Sequence, residues 1–212
     1  MSPRAYRSAA RENAAERNRL RIVAAAGKLL RAKGAAGFSL DAVARKAHVT
    51  RLTVYNQFGS RRRLLEAVFD DHAARGGLGR LPQAMGSPDP REGVRQVVEI
   101  FCDFWSLDHE AMTGLQGMGG TDTEFATAIS ARNERRRRIF GALLTRLAEQ
   151  GGIDAEALTE LRDMLFAITS LAFFAELARS GGAEKAAAQV KWLAAQVIGR
   201  GGHASFKSLD LL

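Results

Sequence analysis

Three hydroxyl residues placed as helix N-caps, Ser39, Thr50 and Ser60, divide the stretch from Phe38 to Arg63 into two short helices and the start of a third. At such a position the side-chain oxygen accepts a hydrogen bond from a first-turn N–H that has no helical partner. Behind Ser39, the residues Leu40, Val43, Ala44 and Ala47 recur at helical spacing, so one stripe of a short helix is apolar. His48 and Val49 interrupt it. A second short helix is expected over Arg51–Phe58 with Val54 and Phe58 turned inward, and Gly59 stops it. From Ser60 the next helix runs through Arg61, Arg62 and Arg63 into Leu64 and Leu65. Helix, tight turn and helix, the second with a polar and cationic outer face, is what reading a DNA major groove requires.

The rest of the chain is expected to be helical too. Alternating runs of Val, Ile, Thr and Tyr are missing and alanine is abundant, which predicts an all-α fold of about nine helices. At 212 residues the chain can bury a core without covalent staples. The single cysteine, Cys102, excludes an internal disulfide framework and fits a reducing compartment. No apolar run reaches membrane-spanning length, and a cytoplasmic protein is expected.

Charge is divided along the chain. Residues 1–63 carry fifteen Lys/Arg against Glu12, Glu16 and Asp41, a net +12, whereas the remainder is net −4. A basic head on a mildly acidic body points to an anionic polymer met at one end. Residues 1–14 read as a flexible basic arm, with Arg4, Arg7 and Arg11 available to phosphates. Residues 15–74 read as the helix-turn-helix domain with a connecting helix, and the Gly- and Pro-rich residues 75–90 as a linker. Residues 91–200 form a second helical domain and residues 201–212 a loose tail. In the second domain Asp89-Pro90-Arg91-Glu92 has the form of a capping box, as does Thr121 with Glu124.

Catalysis is not expected. Asp108-His109-Glu110 sets carboxylates beside a histidine without the spacing of a metal site, and Cys102 lies in an apolar stripe where a thiol is inert. No cofactor and no metal are expected. The alternative to a sequence-specific DNA reader is a non-specific or architectural basic DNA-binding protein.

Between Gly37 and Phe69 the chain resembles the tetracycline-repressor (TetR) family of transcription regulators. Val49-Thr50, Thr53-Val54-Tyr55, Phe58, Ser60 and Leu64-Leu65 carry the resemblance, over about a quarter of the chain. Two positions depart from the family pattern. Arg61-Arg62-Arg63 replaces a lysine followed by an acidic residue, and His48 stands where glycine is usual, so its backbone is strained. The resemblance implies DNA contacts from Thr50, Arg51, Leu52, Thr53, Tyr55, Asn56, Gln57 and Arg61. Tyr55 is either a phosphate ligand or a core aromatic against Leu20 and Leu40. It also implies a ligand-released repressor that binds a palindromic operator as a homodimer. The two helices expected at 155–179 and 184–198 carry more apolar surface than one stripe, which suits the dimer contact.

A small-molecule effector of unknown identity is implied as well, with Phe101, Phe104, Trp105, Met112, Phe125, Arg132, Arg136 and Phe166 as candidate lining. Met118 and Phe173 join that set. Arg132 and Arg136 interrupt the apolar stripe Phe125, Ile129, Phe140, Leu143, Leu147. A buried arginine needs a partner. It is either an internal carboxylate (Asp103, Asp108 or Glu110) or an acidic group of the effector.

Overall fold

The computed structural model describes residues 3–120 and 122–200. Among these there are nine α-helices, three short 3-10 turns and no strand, as the sequence predicts. The helices are α1 Pro3–Lys33, α2 Leu40–Lys46, α3 Arg51–Phe58, α4 Arg61–Arg75, α5 Leu81–Met85, α6 Pro90–Gly117, α7 Thr123–Glu149, α8 Leu158–Ile168 and α9 Leu171–Arg200. No helix among the described residues is long and apolar enough to cross a membrane.

The chain divides into two compact units, one of Met1–Asp71 with Glu110–Thr127 and the other of His72–His109 with Ala128–Leu212. The first is discontinuous in sequence, because the end of α6 and the start of α7 pack with the N-terminal helices. A boundary drawn at 75–90 misses this. That glycine-rich segment is itself structured, with a 3-10 turn at Leu78–Arg80 and α5, whose Ala84 is buried. Arg146 fixes its far end by donating to the carbonyls of Met85 and Ser87, both at 2.6 Å. Residues 3–14, expected as an arm, begin α1 at Pro3. The side chains of Arg4, Arg7 and Arg11, like the expected tail at 201–212, lie outside the described residues.

The first unit is built on α1. Ile22, Val23, Ala25, Ala26, Leu29 and Leu30 are its buried positions, whereas Leu20, expected inward, is 55% exposed. Around them pack Phe38, Val43, Ala44, Val54, Phe58, Leu64 and Leu65, all buried. Each large side chain so enclosed contributes about 1.5–3 kcal/mol. The late turns of α6 approach α1 closely. A Cβ at Gly114 would stand 2.4 Å from the Leu30 carbonyl oxygen, so only glycine fits there.

The second unit takes its core from α6, α7, α8 and α9, with Val97, Phe101, Phe104, Phe140, Leu144, Leu165, Phe174 and Val190 buried. Asp89 caps α6 through a 2.8 Å bond from the Arg91 N–H. Its expected capping-box partner Glu92 turns instead to Arg95 and Gln96. α7 is capped by Asp122, which accepts from the Phe125 N–H at 2.9 Å, while Thr121 lies outside the described residues. Two long helices are broken. α6 leaves helical geometry at Asp108, where the sequence predicts a second short helix, and α9 does so at Gly182, whose φ of +76° suits glycine.

Candidate nucleic-acid interface

The helix-turn-helix forms as its caps dictate. Ser39 accepts from the Ala42 N–H and Thr50 from the Thr53 N–H, each at 3.1 Å. The turn between α2 and α3 passes through His48 at φ +52°, the single non-glycine residue with positive φ among those described. His48 and Val49 donate their N–H groups to the carbonyls of Arg45 and Ala44, so the turn is closed by hydrogen bonds despite the histidine. Gly59 ends α3 at φ +69°, donating to the Tyr55 carbonyl at 2.7 Å.

Val54 and Phe58 anchor α3 in the core, which turns the opposite face outward. Arg51, Leu52, Tyr55 and Asn56 are exposed, Leu52 by 66% and Tyr55 by 59%, and Thr53 and Gln57 are half-buried. Tyr55 is therefore no core aromatic. An exposed leucine and tyrosine on one short helix suit a helix that is covered by another molecule. Arg51 pairs with Asp41 of α2 at 3.2 Å, and both are at least half exposed, so the pair holds the arginine loosely. Gln57 donates to the Ala15 carbonyl of α1 at 3.3 Å, and Arg19 lies 5.1 Å from the centre of the Phe58 ring. Both contacts tie α3 to α1.

The arginine triplet is divided by its surroundings. Arg61, expected to meet a phosphate, folds its guanidinium inward, 5.8 Å from the Phe38 ring centre and 3.8 Å from the Met118 sulfur. Its Nε has no hydrogen-bond partner. This corrects the expectation for its side chain, since Met118 arrives from a segment remote in sequence. Arg62 pairs with Glu124 and, at 3.6 Å, with Glu66. Arg63 is the exposed member.

In the second unit the effector candidates separate into groups. Met112 and Phe125 belong to the first unit, where both are buried. Phe104 packs on His72, ring centres 4.7 Å apart, and on Trp105 at 4.4 Å. His72, which the sequence gives no cause to single out, is buried and shares a 2.8 Å bond with the Phe104 carbonyl. Arg136 is brought together with Phe166, 4.4 Å from its ring centre, and Phe101 at 5.5 Å. Only 5% of it is exposed. Burial, and then the charge of Arg137, push its guanidinium below its ordinary value to about 10. Arg132 is half-buried on the same helix.

A separate groove of about 460 Å³ runs between the first half of α6 and the end of α9, with Val98, Ala194 and Ile198 along it. Its charges neutralise one another. Arg95 holds Glu92 at 2.5 Å and Glu99 at 3.4 Å, and Lys191 reaches Glu99 at 3.7 Å. The hydrogen bond from Arg95 holds the Glu92 carboxyl down at about 2. Cys102 is buried, its thiol pushed up to about 12 by burial, with Sγ 3.8 Å from the Ala187 carbonyl. Such a thiol is a poor nucleophile. Among the described residues no group of His, Cys, Asp or Glu side chains could hold a metal ion.

Residues 22–68 match the family described as bacterial regulatory proteins, tetR family. The match covers α1's buried stripe, α2, α3 and the first half of α4. No curated protein matches the chain. Solved structures of the same fold include the TetR-family transcriptional regulator PfmR of Thermus thermophilus, at 20% identity and TM-score 0.70, covering 84% of this chain and 97% of that one. A TetR transcription regulator of Haloarcula marismortui has TM-score 0.70 at 14% identity, covering 87% and 97%. The regulator CifR, solved as a cysteine mutant on a 26 bp operator duplex, has TM-score 0.65 at 18% identity, covering 82% and 93%.

Proposed function

We propose, for a chain whose residues 22–68 are a TetR-family domain and whose fold is that of TetR-family regulators, that it is a sequence-specific transcriptional regulator acting as a ligand-released repressor. The observation that carries this reading is the outward face of α3. Arg51, Leu52, Tyr55 and Asn56 stand exposed on a helix fixed by two caps, at the basic end of the chain. Arg51 suits a bidentate hold on guanine O6 and N7, and Asn56 suits adenine N6 and N7. Leu52 and the Thr53 methyl suit a thymine methyl. Thr50, Tyr55 and Arg63 border that face and suit phosphates, which fix register without reading sequence. Gln57 reads bases only if it leaves the Ala15 carbonyl.

One such helix covers too few base pairs, so two copies on a palindrome are required. The last two helices offer the surface. Trp192 is 62% exposed on α9, and Met164, Ile168, Phe173, Leu177, Leu193 and Val197 are not fully covered by the chain itself. A two-fold bundle of these helices removes that apolar area from water. Repression is then lifted by a small molecule that binds the second unit and favours a spacing of the two heads unfit for DNA. That coupling is reciprocal, so DNA must weaken the ligand by the same factor. A non-specific DNA-binding protein is the competing reading.

Selection of duplexes from a random library tests the proposal. An inverted repeat with half-sites set by the two-fold axis is the expected product. Recovery of unrelated sequences at equal affinity sinks it.

A further inference from the structure

Arg136 is a buried cation that meets no counter-charge among the described residues. Its one acceptor is neutral, the Thr169 carbonyl at 2.5 Å, which already accepts from the Trp105 indole at 2.9 Å. Its Nε has no partner. The next residue, Arg137, makes the contrast. It lies 4.1 Å from the same Phe166 ring, yet it is paired with Asp163 and, at 3.7 Å, with Glu134. Of two adjacent guanidinium groups, the fold neutralises the outer one and leaves the inner one bare.

The internal partners open to Arg136 from the sequence do not reach it. Asp103 is exposed and held by Arg80 at 2.6 Å, Asp108 is engaged by another partner, Glu110 is exposed, and no ion pair to Arg136 exists among the described residues. Two ring faces and one carbonyl return less than the burial of an ion costs. No described residue supplies the missing charge. Phe166, whose ring borders Arg136, and Arg137 on that same ring are only half-buried.

We infer that Arg136 is the anion-recognising residue of an effector site, and that the ligand is an organic acid with an apolar body. Its carboxylate takes the unpaired Nε edge of the guanidinium, whose planar fork matches two carboxylate oxygens. Its apolar part lies against Phe101 and Phe166. This assignment rests on the proposed reading of the chain as an effector-controlled regulator, and it settles which of the two arginines on α7 meets the ligand.

Calorimetry on the full-length protein tests it, with 4-phenylbutanoate and decanoate as probes and their methyl esters as neutral controls. At least one acid is expected to bind the wild type about tenfold or more tighter than its ester. Arg136→Met should remove that preference while leaving ester affinity unchanged, and Arg136→Lys should keep part of it. A retained melting transition and unchanged operator affinity show that each variant is folded. Acid and ester binding alike, acid binding unaffected in Arg136→Met, or no acid binding at millimolar concentration each overturns the inference. Operator release is read in parallel. Acid binding that depends on Arg136 but never releases DNA leaves the site standing and defeats the effector reading. Release by the neutral esters alone, from wild type and variant alike, does the reverse.

Discussion

Replacing Arg136 by methionine should make the ligand-free protein more stable, although it deletes a residue from the core. Burial lowers the guanidinium from its ordinary value above 12 to about 10, and at about 1.4 kcal/mol per pKa unit this sets about 3 kcal/mol against the charged form. The aromatic faces of Phe166 and Phe101 return part of it, about 1 kcal/mol. Methionine leaves no orphaned acceptor, because the Thr169 carbonyl keeps the Trp105 indole. It is also flexible enough to fill the volume against the rings. The balance is a gain of about 2 kcal/mol, or a rise in Tm of roughly 4–8 °C for a protein of this size. The pH dependence has a definite sign. A cation whose folded value is depressed destabilises the fold at neutral pH, and the penalty is relieved as pH rises beyond about 10. Wild type and variant should therefore differ most at neutral pH. Thermal unfolding followed by circular dichroism reads the effect on protein freed of ligand. A Tm lowered by the methionine would refute the reasoning, since Arg136 would then be stabilising in place.

Gly114→Ala places a methyl 2.4 Å from the Leu30 carbonyl oxygen, backbone against which nothing can rotate away; urea unfolding should register a loss of about 1–3 kcal/mol. Trp192→Glu puts a charge on the most exposed aromatic of α9, and sedimentation should show the proposed dimer giving way to monomer at micromolar concentration. A dimer unchanged by it would move the interface elsewhere. Cys102 should resist thiol reagents at pH 8 until the protein is unfolded, because its thiol is held at about 12. The same shift makes folding stability fall between about pH 9 and 12, as the unfolded thiol ionises and the folded one does not. Cys102→Ala should flatten that part of the profile.

The helix-turn-helix was legible because its determinants are local. Ser39, Thr50 and Gly59 cap within a few residues of themselves, and each occupies the predicted place. The apolar stripe of α7 was largely legible, with Phe125, Phe140, Leu143 and Leu147 buried and Ile129 half-buried. What failed to show was set by tertiary contacts. Leu20 and Ile22 both fit a helical stripe, and only packing decides that Ile22 is buried and Leu20 exposed. Arg61 reads as a surface cation at a helix start, and nothing local foretells that the Met118 sulfur and the Phe38 ring will receive it. Residues 75–90 carry the composition of a linker, yet Arg146, about sixty residues on, supplies the bonds that order its end. For Arg136 the sequence raised the question of a partner, and among the described residues no ion pair to it is found.

The most direct test of the account is the affinity of the protein for a selected palindrome and for a scrambled duplex of equal length. Both are titrated at about 50 and 200 mM salt, with wild type and with Asn56→Ala. If α3 reads bases, the palindrome is preferred by about 10³-fold or more at both salts. Asn56→Ala should cut that preference by about tenfold or more while leaving the scrambled duplex unaffected. Equal affinity for the two duplexes, declining in parallel with salt and indifferent to Asn56, would mean that the basic head binds charge alone.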